Sequence, residues 1–123
     1  MKVIVIGAGV IGLSAALMAQ ARGLSVTVVD REGRYRFRTI RPAAYAGRTP
    51  HIHFAVTLPG LPRFATQCYI RGEPLNQRDG VLNAIRDPRL RERLIVPFVP
   101  VAGARAGEQV ARFDIVLGVT PAS

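Results

Sequence analysis

The hydrophobic pattern changes period once along this chain, between Asp30 and Gly33, and that break limits what the chain can fold into. Before it, Val3-Ile4-Val5-Ile6 is a continuous apolar run of the kind that forms a strand buried on both faces. Leu13 to Ala21 supplies good helix formers, Gly23 is a C-terminal stop, and Val26-Thr27-Val28-Val29 is a second such strand that ends on Asp30. After Gly33, apolar and polar residues alternate between Pro and Gly punctuation, the pattern of an antiparallel sheet. With 123 residues, 49% of them apolar, there is room for one modest packed domain and not for two complete ones.

The first segment has the order strand, glycine turn, helix, strand, acid. In Gly7-Ala8-Gly9-Val10-Ile11-Gly12, Gly7 permits a tight turn, Gly9 lets the backbone approach a pyrophosphate, and Gly12 allows close helix packing. Asp30 would then bond a ribose hydroxyl. Lys2, the apolar stretch and Ala19-Gln20-Ala21 can also pass for a secretory signal or a membrane span, but neither explains a second strand ending on an acid. Residues 1–32 resemble the FAD-binding N-terminus of D-amino-acid dehydrogenases and oxidases, above all in Val-Ile-Gly-Ala-Gly-Val-Ile-Gly and Val-Thr-Val-Val-Asp-Arg. The resemblance implies FAD (or NAD) at Gly7, Gly9, Gly12 and Asp30. A working flavin site is not expected, because the parallel-strand pattern ends at Asp30 and the family encloses its flavin in a far larger domain.

Net charge is +9, carried almost wholly by arginine, which favours anionic substrates or acidic neighbours. The arginines are scattered, with no zinc-finger, RNP or recognition-helix pattern, so nucleic acid is not expected as a partner. Cys68 is the only cysteine, which rules out an internal disulfide and a cysteine-rich zinc site and suits a reducing cytoplasm.

Both histidines sit in one tripeptide, His51-Ile52-His53. On a strand, residues i and i+2 share a face, so two imidazoles at this spacing can take adjacent positions on one metal, with Ile52 facing the other way. Taken alone, the tripeptide also fits an ordinary surface or core strand. Six residues upstream, Tyr45 lies in a connection bounded by Pro42, Gly47 and Pro50, short enough to bring its phenol back over that face. A phenolate is a hard anionic donor that suits ferric iron. Arg48, between them, is either a solvent-facing arginine or a fixed positive charge for an anionic ligand.

Elsewhere, Arg34, Arg36 and Arg38 are expected on one strand face with Tyr35, Phe37 and Thr39 on the other, giving either a solvated basic face or a dock for an acidic partner. Asp87-Pro88 reads as an N-cap and first helical position, opening a helix through Arg89 to Ile95 that Val96-Pro97 ends. Val99 to Glu108 is expected as a surface loop. Val110 to Leu117 is expected as a final strand with Phe113, Ile115 and Leu117 on one face.

The run Gly33-Arg34-Tyr35-Arg36-Phe37-Arg38-Thr39-Ile40-Arg41-Pro42, with Tyr45 and Arg48-Thr49-Pro50-His51-Ile52-His53-Phe54, is similar to the intradiol ring-cleavage dioxygenases. The likeness continues through Thr66-Gln67-Cys68-Tyr69, Gly72-Glu73-Pro74-Leu75 and Arg112-Phe113-Asp114-Ile115-Val116-Leu117. It spans residues 33–117, about the C-terminal half of such an enzyme, and is nearest the protocatechuate 3,4-dioxygenase type. It implies a mainly β chain: part of an intradiol-dioxygenase β-sandwich over 33–123, behind a Rossmann-type βαβ-like fragment over 1–32.

The resemblance also implies Tyr45, His51 and His53 as ligands of Fe(III), with Tyr45 the axial ligand that leaves as substrate arrives. Arg48 would stabilise charge on the substrate ring, and Gln67 would stand near the metal. A catecholate would chelate the iron, dioxygen would attack the activated ring, and hydrolysis of a cyclic anhydride would yield a muconate-type diacid. The family's second tyrosine ligand has no counterpart here, so incomplete iron loading and weak ring cleavage are expected. Protocatechuate-type enzymes pair chains, which implies assembly with like or related subunits. The alternative is a FAD- or NAD-binding oxidoreductase fragment.

Overall fold

The computed structural model describes residues 2–6, 25–29, 35, 39–103 and 107–123, the first two stretches as backbone. The chain divides into two compact units, Met1–Arg41 and Pro42–Ser123. Among the described residues strands predominate and the helical segments are short, in keeping with a mainly β chain.

In the first unit, β1 (Lys2–Ile6) and β2 (Ser25–Val29) pair in parallel, with Lys2 opposite Ser25 and Ile6 opposite Val29. This is the pairing expected of the two apolar runs. Gly7, Gly9, Gly12, the helix expected over Leu13 to Ala21, and Asp30 lie outside the described residues, as do Arg34, Arg36, Phe37 and Arg38. Tyr35, expected on that strand, is described in irregular backbone and is 40% exposed.

The second unit is built on a hairpin. Strand β3 (His51–Val56) pairs antiparallel with β4 (Phe64–Ile70), from His51 opposite Tyr69 to Val56 opposite Phe64. Directly opposed residues of an antiparallel pair point the same way, so this register sorts the sheet into two faces. Ile52, Phe54, Thr66 and Cys68 share one face, and His51, His53, Gln67 and Tyr69 share the other. Ile52 and Phe54 pack onto a buried cluster that includes Cys68, Leu82, Leu94, Val96 and Phe113. The Phe54 and Phe113 rings lie 5.1 Å apart.

After β4 come a 3₁₀ turn (Pro74–Arg78) and two short helices, α1 (Gly80–Ala84) and α2 (Pro88–Glu92). Asp87 caps α2 as expected, accepting the Arg89 amide at 2.8 Å. The helix stops at Glu92 and does not reach Ile95. Ile95 and Val96 instead form β5, parallel to the end of β4. The reason is tertiary: β4 offers free edge groups to two β-branched residues, and the Tyr69 and Arg71 amides donate to the carbonyls of Leu94 and Val96 at 2.7 and 2.9 Å.

Two further expectations are corrected. The segment 99–108 is closed by a small ladder between β6 (Val99–Pro100) and β7 (Gln109–Val110). The strand expected through Leu117 ends at Val110. Phe113 is buried, but the chain turns at 116–120, where the Val116 amide donates to the Thr120 hydroxyl at 2.8 Å and the Thr120 amide to the Val116 carbonyl at 2.8 Å. Leu117 therefore sits in a turn, 42% exposed. The C-terminal residues then return to β4, Thr66 Oγ1 donating to the Pro121 carbonyl at 2.7 Å and the Ser123 amide to that of Ala65 at 3.0 Å.

Candidate metal centre

Residues 45–48 form a tight turn closed by the Arg48 amide donating to the Tyr45 carbonyl at 2.8 Å, with an isolated antiparallel bridge between the two residues. Gly47 has φ of 76°, a left-handed conformation that costs an L side chain roughly 1–2 kcal/mol. The turn sets Tyr45 and Arg48 side by side, and β3 then presents His51 and His53 on the same side of the sheet as Gln67 and Tyr69.

His51 Nδ1 lies 2.6 Å from the Thr49 carbonyl oxygen, which can only accept. Nδ1 therefore carries the proton and donates it, leaving Nε2 as the lone-pair end of the ring. That nitrogen is 3.0 Å from His53 Nε2 and 3.3 Å from the Tyr45 hydroxyl oxygen. Two metal–imidazole bonds of about 2.1 Å meeting at a right angle hold their nitrogens roughly 3.0 Å apart. The two rings are thus already spaced as neighbouring ligands of one ion, and the phenol oxygen closes a three-donor face. A backbone carbonyl fixing the tautomer of a ligating histidine is the usual support for such a donor.

Without a metal, two lone pairs cannot face each other, so His53 Nε2–H donates to His51 Nε2. Partial burial, and then the neighbouring His51 and the Arg48 guanidinium, hold His53 below the ordinary histidine range, favouring the neutral ring that binds metal. The donors differ in access: His51 is 7% exposed and Tyr45 is 56% exposed. Histidine, cysteine and carboxylate side chains alone form no cluster of three among the described residues, so the phenol is needed to complete the set.

Arg48 lies beside these donors with its guanidinium spread over four partners. Nε donates to Asp79 Oδ2 at 2.9 Å, one terminal nitrogen donates to Gln67 Oε1 and to the Tyr69 hydroxyl at 3.2 Å, and the other approaches the Tyr45 hydroxyl at 3.4 Å. Gln67 Oε1 also accepts the Tyr69 hydroxyl at 2.9 Å, which fixes which way round the amide lies. Burial alone would push Asp79 up, but the Leu82 and Thr49 amides and Arg48 outweigh it and hold the carboxyl below the usual carboxylate range. Burial would lower Arg48, and its bond and ion pair with Asp79 prevail, raising it further above the neutral range. Tyr69 is pushed up to about 12, chiefly by burial and then by Asp79, so it remains a neutral phenol.

The structure therefore brings Tyr45, Arg48, His51, His53 and Gln67 together. Sequence reasoning did not include Asp79, Thr49 or Tyr69. The signal for Tyr69 was present: Gln67 and Tyr69 repeat, on a strand, the i, i+2 spacing of the two histidines. A separate apolar cavity of about 280 Å³ at the turn end of the hairpin, lined by Leu58, Leu61, Phe64 and Leu117 among others, contains none of these groups.

Residues 2–65 match the model of a family described as FAD dependent oxidoreductase. The chain is also 36% identical over 103 residues to the protocatechuate 3,4-dioxygenase beta chain of Burkholderia cepacia, covering 77% of this chain and 43% of that one. It is 32% identical over 88 residues to catechol 1,2-dioxygenase 2 of Acinetobacter lwoffii, covering 51% of this chain and 32% of that relative. The chain belongs to the FAD dependent oxidoreductase family and carries an intradiol dioxygenase segment. It spans less than half the length of either curated dioxygenase. As a member of the FAD dependent oxidoreductase family it is matched beyond the 1–32 stretch in which the resemblance is read, to residue 65, across Tyr45 and all of β3. A match to 77% of the chain necessarily includes its middle, so both likenesses claim that strand.

Proposed function

We propose that the intradiol segment binds Fe(III) through Tyr45, His51 and His53 and cleaves a catechol-type aromatic with O2 to a muconate-type diacid, weakly and with incomplete iron loading because the family's second tyrosine ligand has no counterpart. The observation that carries this reading is the convergence of His51 Nε2, His53 Nε2 and the Tyr45 hydroxyl within 3.0 and 3.3 Å, with the His51 tautomer already set by the Thr49 carbonyl. Ferric iron held there would acidify the catechol hydroxyls and draw electron density from the ring toward the metal, opening it to dioxygen.

The chain's own residues divide the remaining work. Tyr45, the exposed donor, would be the one to give way to substrate, its phenol oxygen then being placed to receive a proton from a catechol hydroxyl. His51, buried and tied to the backbone, stays in place with His53. Arg48 supplies fixed positive charge toward negative charge developing on the substrate. Gln67 turns its oxygen to Arg48 and Tyr69 and so helps to hold the guanidinium in place. The basic balance of the chain suits a carboxylated catechol.

The sheet portion over 33–123 belongs, in this reading, to a partial β-sandwich that assembles with like or related subunits in the cytoplasm. No helix among the described residues is long and apolar enough to cross a membrane. The segment 1–32 is read as a Rossmann-type fragment. A second reading, FAD binding at Gly7, Gly9, Gly12 and Asp30, is favoured by the parallel β1–β2 pair and by the family match.

Anaerobic titration with protocatechuate or catechol, followed by visible absorption and set beside a flavin-binding assay, separates the two. A catecholate-to-iron band that is lost in His51→Ala and kept in Gly9→Val supports the dioxygenase reading. Flavin uptake without such a band supports the other.

A further inference from the structure

We propose that Asp79 is the positioning residue of this centre, aiming Arg48 at the Tyr45 hydroxyl and anchoring, through the Thr49 backbone, the carbonyl that orients His51. Asp79 is 31 residues from Arg48 in sequence and 1% exposed. Its two carboxylate oxygens are used on opposite sides. Oδ1 accepts the Val81 and Leu82 amides at 3.0 and 2.9 Å, tying the carboxylate to the start of α1. Oδ2 accepts Arg48 Nε at 2.9 Å and the Thr49 amide at 3.0 Å, tying the same group to the metal-binding strand.

The consequences follow from the shape of each partner. A guanidinium is a planar fork, so fixing Nε and one terminal nitrogen fixes the direction of the other. With Nε on Asp79 and one end on Gln67 and Tyr69, the remaining nitrogen has one orientation, toward Tyr45 at 3.4 Å. The Thr49 backbone is held on both sides of its α-carbon. Its amide is bound by Asp79, its carbonyl accepts His51 Nδ1–H at 2.6 Å, and the Thr49 side chain donates to Asn76 Oδ1 at 2.9 Å. One carboxylate thus governs both the charge beside the phenol and the ring that carries the central nitrogen. The Arg48 arm rests on the iron reading for its effect on substrate, whereas the geometry it sets exists in the metal-free chain.

The test compares the full chain with Asp79→Asn, Arg48→Gln and the double variant. Asparagine caps a helix about as well as aspartate, so a role confined to α1 leaves Asp79→Asn unchanged. In metal-free protein, nitrogen-15 NMR should show a protected Arg48 Nε–H signal that is lost in Asp79→Asn, together with shifts of the His51 ring nitrogens and, by carbon-13 NMR, of the Tyr45 ring. Asp79→Ser, which keeps a capping oxygen and removes the carboxylate, should move Tyr45 in the same way and serves if Asp79→Asn does not fold. In Fe(III)-loaded protein under anaerobic conditions, the protocatechuate Kd should rise about tenfold in Asp79→Asn, the scale expected when an outer partner of a metal site is removed. Adding Asp79→Asn to Arg48→Gln should then raise that Kd by clearly less than tenfold, because the Arg48 arm is already lost and only the Thr49 arm remains to be broken.

Unchanged Arg48 and Tyr45 signals in Asp79→Asn overturn the proposal. So does a full tenfold effect persisting in the Arg48→Gln background. If the metal-free signals move as expected while the wild-type chain shows no catecholate band, Asp79 stands as the positioning residue and the iron reading falls.

Discussion

Replacing His51 with alanine removes the nitrogen that stands 3.0 Å from one donor and 3.3 Å from the other, leaving Tyr45 and His53 without the atom that links them. Loss of an outer partner of a metal site costs about 10–100-fold in affinity, so loss of the central donor should cost more than 100-fold, or roughly 2.7 kcal/mol and above. Mass action converts this into a melting shift. At a free metal concentration 100 times the wild-type Kd, binding stabilises the folded chain by about 2.7 kcal/mol; at the same concentration the variant gains about 0.4 kcal/mol. For a unit of this size each kcal/mol moves Tm by about 4–8 °C, giving roughly 10–20 °C for wild type and about 2–3 °C for the variant. Circular dichroism melts with Fe(III) presented as a weak chelate, and with Co(II), measure the difference. The metal-free melts of both proteins supply the baseline, since His51→Ala also removes the bond to the Thr49 carbonyl. Equal metal-induced shifts in both proteins would refute the assignment of His51 as the central donor.

Leu94 is fully buried in the cluster beneath the sheet, and Leu94→Ala should cost about 2–5 kcal/mol, read as a lowered urea midpoint with unchanged slope. Because the folded-state Asp79 carboxyl sits below its unfolded value of about 3.9, its contribution is present above that pH and is lost as pH falls through the folded value. Acid unfolding below about pH 4 should therefore be steeper in wild type than in Asp79→Asn. His53 resists protonation in the folded chain, so the acid limb of metal uptake should lie below about pH 6.5. Arg48→Gln, which removes one of the charges lowering His53, should move that limb upward. Burial pushes the Cys68 thiol up to about 12, so a thiol reagent at pH 8 should leave the native chain unlabelled and react once urea unfolds it.

What was legible in the sequence is what short range decides. The His51-Ile52-His53 spacing alone fixes two imidazoles on one strand face, and the strand forms with that face shared by Gln67 and Tyr69. The glycine and prolines around Tyr45 mark a turn, and the turn forms at 45–48. The two N-terminal apolar runs pair in parallel as strands buried on both faces do. What failed depends on partners far along the chain. Ile95 follows a well-capped helix and reads as its continuation, yet the open edge of β4 takes it. Phe113, Ile115 and Leu117 alternate like a strand, but a strand needs a neighbour, and the ladder supplied by Val99–Pro100 extends only to Val110. Asp79 caps a helix through one oxygen, and that its other oxygen belongs to Arg48 is settled by tertiary contact across 31 positions, which no local pattern signals.

The three donors come from a single turn and the strand that follows it, between Tyr45 and His53. A set this contiguous is inherited as a block. A genetic crossover anywhere upstream of Pro42 carries the phenol, both imidazoles and Arg48 together, and one that also spares the codons through Asp79 brings the carboxylate that holds the arginine. Sites gathered from distant parts of a chain are broken by most such exchanges. Here the candidate donors stay linked whatever precedes the turn, and a sequence in which two oxidoreductase likenesses overlap on one strand fits that mode of descent.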